Sequence, residues 1–126
     1  MVPETNDRIT IEGTSLKTWN HILVAVYILS ILEESPMYGN QLRTKIKDMS
    51  NGLYLPNPNA LYPVLRILEE EGHITSNMEV GENRKKRFYY VTEKGKALYP
   101  KIKERTKIQC DYLRGFVDVL HKTFGV

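Results

Sequence analysis

The chain has one cysteine, Cys110, among its 126 residues. No intrachain disulfide can form and no thiol-rich metal site can be assembled. The three histidines, His21, His73 and His121, lie far apart and make no recognised ligand spacing with Cys110, so neither metal nor cofactor is expected. There is no Ser/His/Asp arrangement, no glycine-rich phosphate loop and no paired-carboxylate motif. Glu33-Glu34 and Glu69-Glu70-Glu71 read as solvated helix ends, so an enzyme is not expected. No apolar run reaches the roughly 18 residues of a membrane span. The longest, Ile22 to Leu32, is interrupted by Tyr27 and Ser30 and reads as a buried helix. Glu4 and Asp7 precede any apolar run, which does not suit a signal peptide, and a cytoplasmic location is the default expectation. A net charge of +3 is too small to argue for nucleic acid by itself; only the placement of charge can do that.

What is present is ordinary in bulk: 41% hydrophobic and 26% charged residues, in a length that suits one domain. Met1 to Thr14 is polar, and although Arg8 to Glu12 alternates as a short strand would, residues 1–14 are read as a flexible arm. Residues 15–93 then form the main domain and residues 94–126 a C-terminal helix. Ser15 is a candidate N-cap for a first helix running to Glu34. Leu16, Trp19, Ile22, Leu23, Val26, Leu29 and Leu32 give that helix its period, and Val24, Ala25, Tyr27, Ile28 and Ile31 widen its apolar face nearly all round. Ser35-Pro36 stops it. Tyr38 to Met49 is the second helix, with a stripe of Leu42, Ile46 and Met49, ended by Ser50-Asn51-Gly52. Leu53-Tyr54-Leu55 is a candidate third strand.

The stretch that organises the rest follows. Asn57 can cap a third helix with Pro58 at its first position. Leu61, Val64, Leu65 and Leu68 face the core, and Gly72 ends the helix in a left-handed conformation. Ile74 to Val80 and Arg87 to Thr92 read as strands, joined by a turn of Gly81 to Lys86. Thr92 caps the last helix, where Pro100 should give a kink or a delayed start. Its stripe of Leu98, Ile102, Leu113, Phe116, Val117, Leu120 and Phe124 is richer than a surface helix of a monomer needs. The fold class is mainly α with a small β-hairpin wing: a winged helix-turn-helix with a long C-terminal helix.

Arg84, Lys85, Lys86 and Arg87 are consecutive, and a tight turn would push them outward. A basic turn alone is more often a solvated surface. Here it follows a helix whose first turns carry Asn57, Asn59, Tyr62 and Arg66 opposite the leucines. Asparagine can pair with adenine, arginine with guanine, and a tyrosine hydroxyl can hold a phosphate. A positive helix N-terminus adds to this, although at least one of the asparagines is expected only to cap. A helix of this kind lies in the major groove with the wing beside it, so the expected partner is double-stranded DNA. Asn59 and Arg66 are expected to read base edges and Tyr62 to hold a phosphate. Arg84 to Arg87 would contact the backbone from the wing, and Tyr38, Asn40 and Gln41 would meet phosphates from the second helix. The alternative is a winged helix used for protein–protein contact, its basic turn meeting an acidic partner.

Met37-Tyr38-Gly39, the run Ala60-Leu61-Tyr62-Pro63-Val64-Leu65-Arg66-Ile67-Leu68-Glu69 with Glu71-Gly72 and Ile74, Arg84-Lys85, Tyr89-Tyr90, and Val91-Thr92-Glu93-Lys94-Gly95 together resemble PadR-family transcriptional regulators. The resemblance is to the short kind with a single long C-terminal helix, and it covers about residues 18 to 120. Pro63 matches the family; Asn59-Ala60 stand where the family usually has small residues such as Gly-Thr. The resemblance implies a homodimer whose last helix packs on the first and last helices of the other subunit, and a repressor reading a roughly palindromic site. It also implies a small aromatic effector near the interface, for which Trp19, Tyr27, Tyr112 and Phe116 are the candidate lining, although plain core or interface packing is the commoner role for such residues.

Overall fold

The computed structural model describes residues 9–81 and 85–126. Helix α1 (Trp19–Glu34) is the hub: Ile22, Val24, Ala25, Ile28, Leu29, Ile31 and Leu32 are all buried on it. A helix apolar on so many sides needs cover on each, and it touches all three other helices and the sheet. Around it follow β1 (Met37–Tyr38), α2 (Gly39–Met49), α3 (Pro58–Glu70), β2 (Ile74–Val80), β3 (Lys85–Val91) and α4 (Glu93–Phe124). The strands form one antiparallel sheet in the order β1-β3-β2. The architecture is the expected one, mainly helical with a small hairpin.

Several boundaries differ from the sequence reading for local reasons. Helix α1 is capped by Thr18, whose hydroxyl accepts from the His21 N–H, and not by Ser15. The Ser15 N–H is already held by Glu71 Oε2 at 2.8 Å, and the Thr14 hydroxyl by Glu71 Oε1 at 2.6 Å, which keeps the chain extended until Thr18. Residues 9–14, read as part of a flexible arm, lie on the core: Ile9, Ile11 and Leu16 are buried, and the Ile9 N–H donates to the Lys17 carbonyl. Buried His73 donates from Nε2 to the Gly13 carbonyl at 2.9 Å.

The third strand is Met37–Tyr38, paired to Tyr89 and Phe88, and not Leu53-Tyr54-Leu55. The Tyr54 N–H is taken by the Ser50 hydroxyl at 2.9 Å, and Leu53 is 90% exposed. Met49 leaves the expected α2 stripe and is 45% exposed, while Leu42 and Ile46 are fully buried. Helix α2 ends in a Schellman motif: Asn51 takes a φ of 55°, Gly52 N–H bonds Lys47 O, and Asn51 N–H bonds Asp48 O. Helix α3 ends the same way around Gly72 (φ 82°). Helix α4 starts on Thr92 and runs unbroken through Pro100, so the proline causes no delayed start. Its buried residues are Gly95, Leu98, Ile102 and Gln109; beyond Gln109 none is buried.

Candidate nucleic-acid interface

Helix α3 presents two faces. Leu61, Val64, Leu65 and Leu68 are buried against the core. Asn59, Tyr62 and Arg66, at i, i+3 and i+7, share the exposed face. The helix starts on Asn57, whose side chain accepts from the Ala60 N–H at 2.9 Å, with Pro58 in the first turn. Asn57 therefore spends its carbonyl oxygen on the cap, and of the α3 residues proposed for DNA it is the one with a structural duty. Arg66 lies 3.7 Å from Glu70 in an exposed pair, a contact too weak and too solvated to hold it away from another partner.

Helix α2 meets α3 at a close approach. Gly39 is buried, and a Cβ there would run into the Tyr62 hydroxyl and lie 2.9 Å from its Cζ. Glycine is what lets the tyrosine ring lie across the start of α2. Tyr38 precedes α2 as its cap, and its backbone N–H donates to Gln41 Oε1 at 3.1 Å. Gln41 is thus partly engaged in closing the helix start. Arg43 donates from Nε to the Pro56 carbonyl at 2.8 Å and braces the α2–α3 connection.

The wing departs from the sequence reading. Lys85 and Lys86 belong to β3 and not to the turn, with Val80 paired to Lys85 and Glu79 to Lys86. Arg84 lies outside the described residues. Side chains alternate across a strand, so the basic run is divided between two faces and does not all splay from a tip. Lys86 Nζ sits 4.0 Å from the Tyr38 ring centroid, a cation–π contact. Tyr38 in turn meets Phe88 edge-on at 5.4 Å. Arg87, on the other face, donates from Nη1 to the Ser76 hydroxyl at 2.8 Å, and Ser76 donates to Glu69 Oε2 at 2.6 Å. Lys86 is also not without an acidic counterpart, since Glu79 is its cross-strand partner.

These parts converge on one open groove of about 440 Å³, bordered by Tyr38, Gly39, Asn40, Tyr62, Lys85, Lys86, Arg87 and Tyr89. A second groove of about 320 Å³ continues along α2 past Tyr38, Asn40, Gln41 and Lys45. Six of the expected contact residues thus share the first groove, and Gln41 lies beside it. Asn59 and Arg66 lie on the α3 face that adjoins Tyr62. Sequence reasoning missed Tyr89 and Gly39 as groove residues. Tyr89 was legible only as strand; its partner register across β1 and β2 turns it inward. Burial, and after it the Glu69 carboxylate, push the Tyr89 hydroxyl above its ordinary 10.0 against the opposing pull of Arg87, so it is a neutral hydrogen-bond donor at physiological pH. The arrangement offers cations, hydroxyls and amides on a concave surface next to an exposed helix face, which is chemistry for phosphate and base edges.

The four aromatic residues expected at an effector site are dispersed. Trp19 and Tyr27 pack on the core from α1, with Tyr27 6.3 Å from Tyr54. Tyr112 is exposed and Phe116 half-buried on distal α4. Among the described residues no cluster of three or more His, Cys, Asp or Glu could hold a metal, and no helix is long and apolar enough to cross a membrane.

Residues 28–101 match the model of the transcriptional regulator PadR-like family. A curated relative, "Transcriptional regulator YqjI" of Escherichia coli (strain K12), is 30% identical over 105 residues, covering 78% of this chain and 49% of that protein. The chain therefore spans about half the length of the curated relatives it matches. Among solved structures, a transcriptional regulator from Clostridium thermocellum aligns with a TM-score of 0.68 at 27% identity, covering 76% of this chain and 94% of the other. Bacillus subtilis PadR in complex with operator DNA aligns with a TM-score of 0.55 at 24% identity, covering 61% and 44% of the two chains, a likeness of fold. On the strength of the family match over most of the domain, the chain belongs to the PadR-like transcriptional regulators, which are DNA-binding proteins and not enzymes.

Proposed function

We propose that this chain is a sequence-specific repressor that binds a roughly palindromic operator as a homodimer. The observation that carries the reading is the groove in which Asn40, Tyr62 and the basic strand Lys85-Lys86-Arg87 meet beside the exposed face of α3. Asn59 and Arg66 read base edges from that face. Tyr62, Tyr38, Asn40 and Gln41 hold phosphates, with Arg84, Lys85, Lys86 and Arg87 on the backbone from the wing. Asn57 contributes mainly by capping α3, its amide nitrogen remaining available to a phosphate. That Bacillus subtilis PadR has been solved with operator DNA supports the same use of this fold.

Dimerisation is supported by distal α4. Ile108, Tyr112, Val117, Val119 and Phe124 are exposed there, a run of apolar groups along a helix that needs a covering surface. Two-fold symmetry would pair two α3 helices with two half-sites. A small aromatic effector belongs to the same proposal: Trp19, Tyr27, Tyr112 and Phe116 would line one pocket only where α1 and distal α4 of two subunits meet. A cytoplasmic location goes with this reading.

The test is fluorescence anisotropy on the upstream intergenic DNA against scrambled DNA, repeated across salt. A hundredfold or greater preference, roughly what specific regulators show, is expected. The Lys85→Ala/Lys86→Ala variant should weaken binding to all sequences and flatten the salt dependence by about two units of slope, one per lost phosphate contact. Equal binding to both DNAs would reject sequence specificity. No binding at low salt would turn the basic strand into a surface for an acidic protein partner.

A further inference from the structure

We propose that Ser76 and Glu69 are positioning residues that aim Arg87 of the wing, and through it fix the wing relative to the α3 helix. The inference rests on the DNA-binding reading and assigns to the interface two residues that do not themselves touch the nucleic acid.

The observation is a chain of three side chains from three elements. Glu69 lies in the last turn of α3, Ser76 in β2 and Arg87 in β3. Ser76 Oγ donates to Glu69 Oε2 at 2.6 Å and accepts from Arg87 Nη1 at 2.8 Å. A serine hydroxyl has one proton to give and lone pairs to receive, so the two bonds are compatible and each strengthens the other. Arg87 is opposite Met78 in the ladder, two residues along from Ser76, so its side chain runs back toward the root of the wing and not out to the tip.

The wing needs such a tie. Strand β1 covers β3 only at Phe88 and Tyr89, so from Arg87 outward the hairpin is a two-stranded ribbon. Met78 is 49% and Val80 78% exposed, so little packing holds that ribbon against the body of the domain. The Ser76 to Glu69 bond joins it to α3. The Arg87 guanidinium spends one of its five N–H donors on Ser76 and keeps the rest for a phosphate, already restricted in rotamer before DNA arrives. Pre-ordering a long side chain in this way removes an ordering cost from binding. The tie also sets the angle between the ribbon and the helix that would enter the major groove.

The experiment is a double-mutant cycle on the full chain with the DNA that the wild type prefers. Ser76→Ala is expected to lower affinity three- to tenfold, and Ser76→Thr, which keeps the hydroxyl, to restore most of it. Arg87→Ala should cost at least as much, and the double variant Ser76→Ala/Arg87→Ala no more than Arg87→Ala alone. Additive losses, or an unchanged affinity in Ser76→Ala, overturn the proposal. A second readout needs no DNA. In the free protein the Arg87 side-chain N–H signals in a nitrogen-edited NMR spectrum should be resolved in the wild type and averaged with solvent in Ser76→Ala. Identical Arg87 signals in both proteins overturn the positioning role even if the DNA-binding reading stands. Resolved signals that collapse in Ser76→Ala support the tie even if the wild type binds no DNA, and only the DNA reading then fails. Matching urea midpoints for the two proteins would show that the change is local.

Discussion

At the scale of single residues, two glycines make opposite predictions. A Cβ at Gly95 would meet the His73 carbonyl, a backbone group, and lie 2.9 Å from Val91 Cγ2. Neither can move without shifting α4 against the β2 entry, so Gly95→Ala should destabilise by about 1–3 kcal/mol in urea denaturation. At Gly39 the obstruction is the far end of the Tyr62 side chain. Gly39→Ala should cost less than about 1 kcal/mol in stability, yet weaken DNA binding, because Tyr62 must leave the groove. Glu71 carries a pH prediction. Desolvation raises its pKa, but hydrogen bonds from Ser15 and Thr14, with the nearby His73, outweigh it and hold the carboxyl below its ordinary 4.5. A depressed folded pKa means stability present above the ordinary value and lost as pH falls through the folded one. Glu71→Gln should therefore be less stable than wild type at pH 7, with the gap closing below about pH 4.5 as both are titrated in urea.

At the scale of elements, what could be read from sequence was whatever is decided locally. Helix α3 was legible at both ends because Asn57-Pro58 and Gly72 each do one job that few residues do. The start of α1 was not, since Ser15 and Thr18 are equally good caps and the choice falls to Glu71, more than fifty residues away. Strand β1 has two residues and exists only through pairing with Tyr89 and Phe88. The alternation of Ile9 and Ile11 was visible, and it does bury alternate side chains, but without any ladder to announce it as structure. The basic run was legible as chemistry, while its division between two strand faces depended on where β3 begins. The capping role of Asn57 can be separated from any contact with DNA. Asn57→Ala should cost about 1 kcal/mol of stability and Asn57→Ser almost none, and a serine that keeps both stability and affinity would leave the cap as the whole of its function.

At the scale of the molecule, the balance of burial is uneven. The proximal part of α4 packs through Gly95, Leu98 and Ile102, with Gln109 buried further along, and then the helix projects with exposed Val117, Val119 and Phe124. If this stretch is a subunit interface, Val117→Asp should yield monomers in sedimentation equilibrium and remove any concentration dependence of the Tm. The same variant should leave the fold of residues 19–102 unchanged by circular dichroism. Loss of operator affinity in a folded monomer would tie recognition to the presence of two half-sites.

The unbroken course of α4 through Pro100 gives it the properties of a ruler with a phase. Its 32 residues span about 48 Å, with each residue advancing about 1.5 Å and turning about 100°. A single residue inserted between Ile102 and Tyr112 would hardly lengthen it, yet would swing the whole distal stripe a quarter turn or more away from its present facing. Seven inserted residues would restore the facing to within about 20° and displace it by two turns. Along this helix, changes of length are tolerated by the angle only in steps of about seven, so drift in sequence length here should come in heptads or not at all.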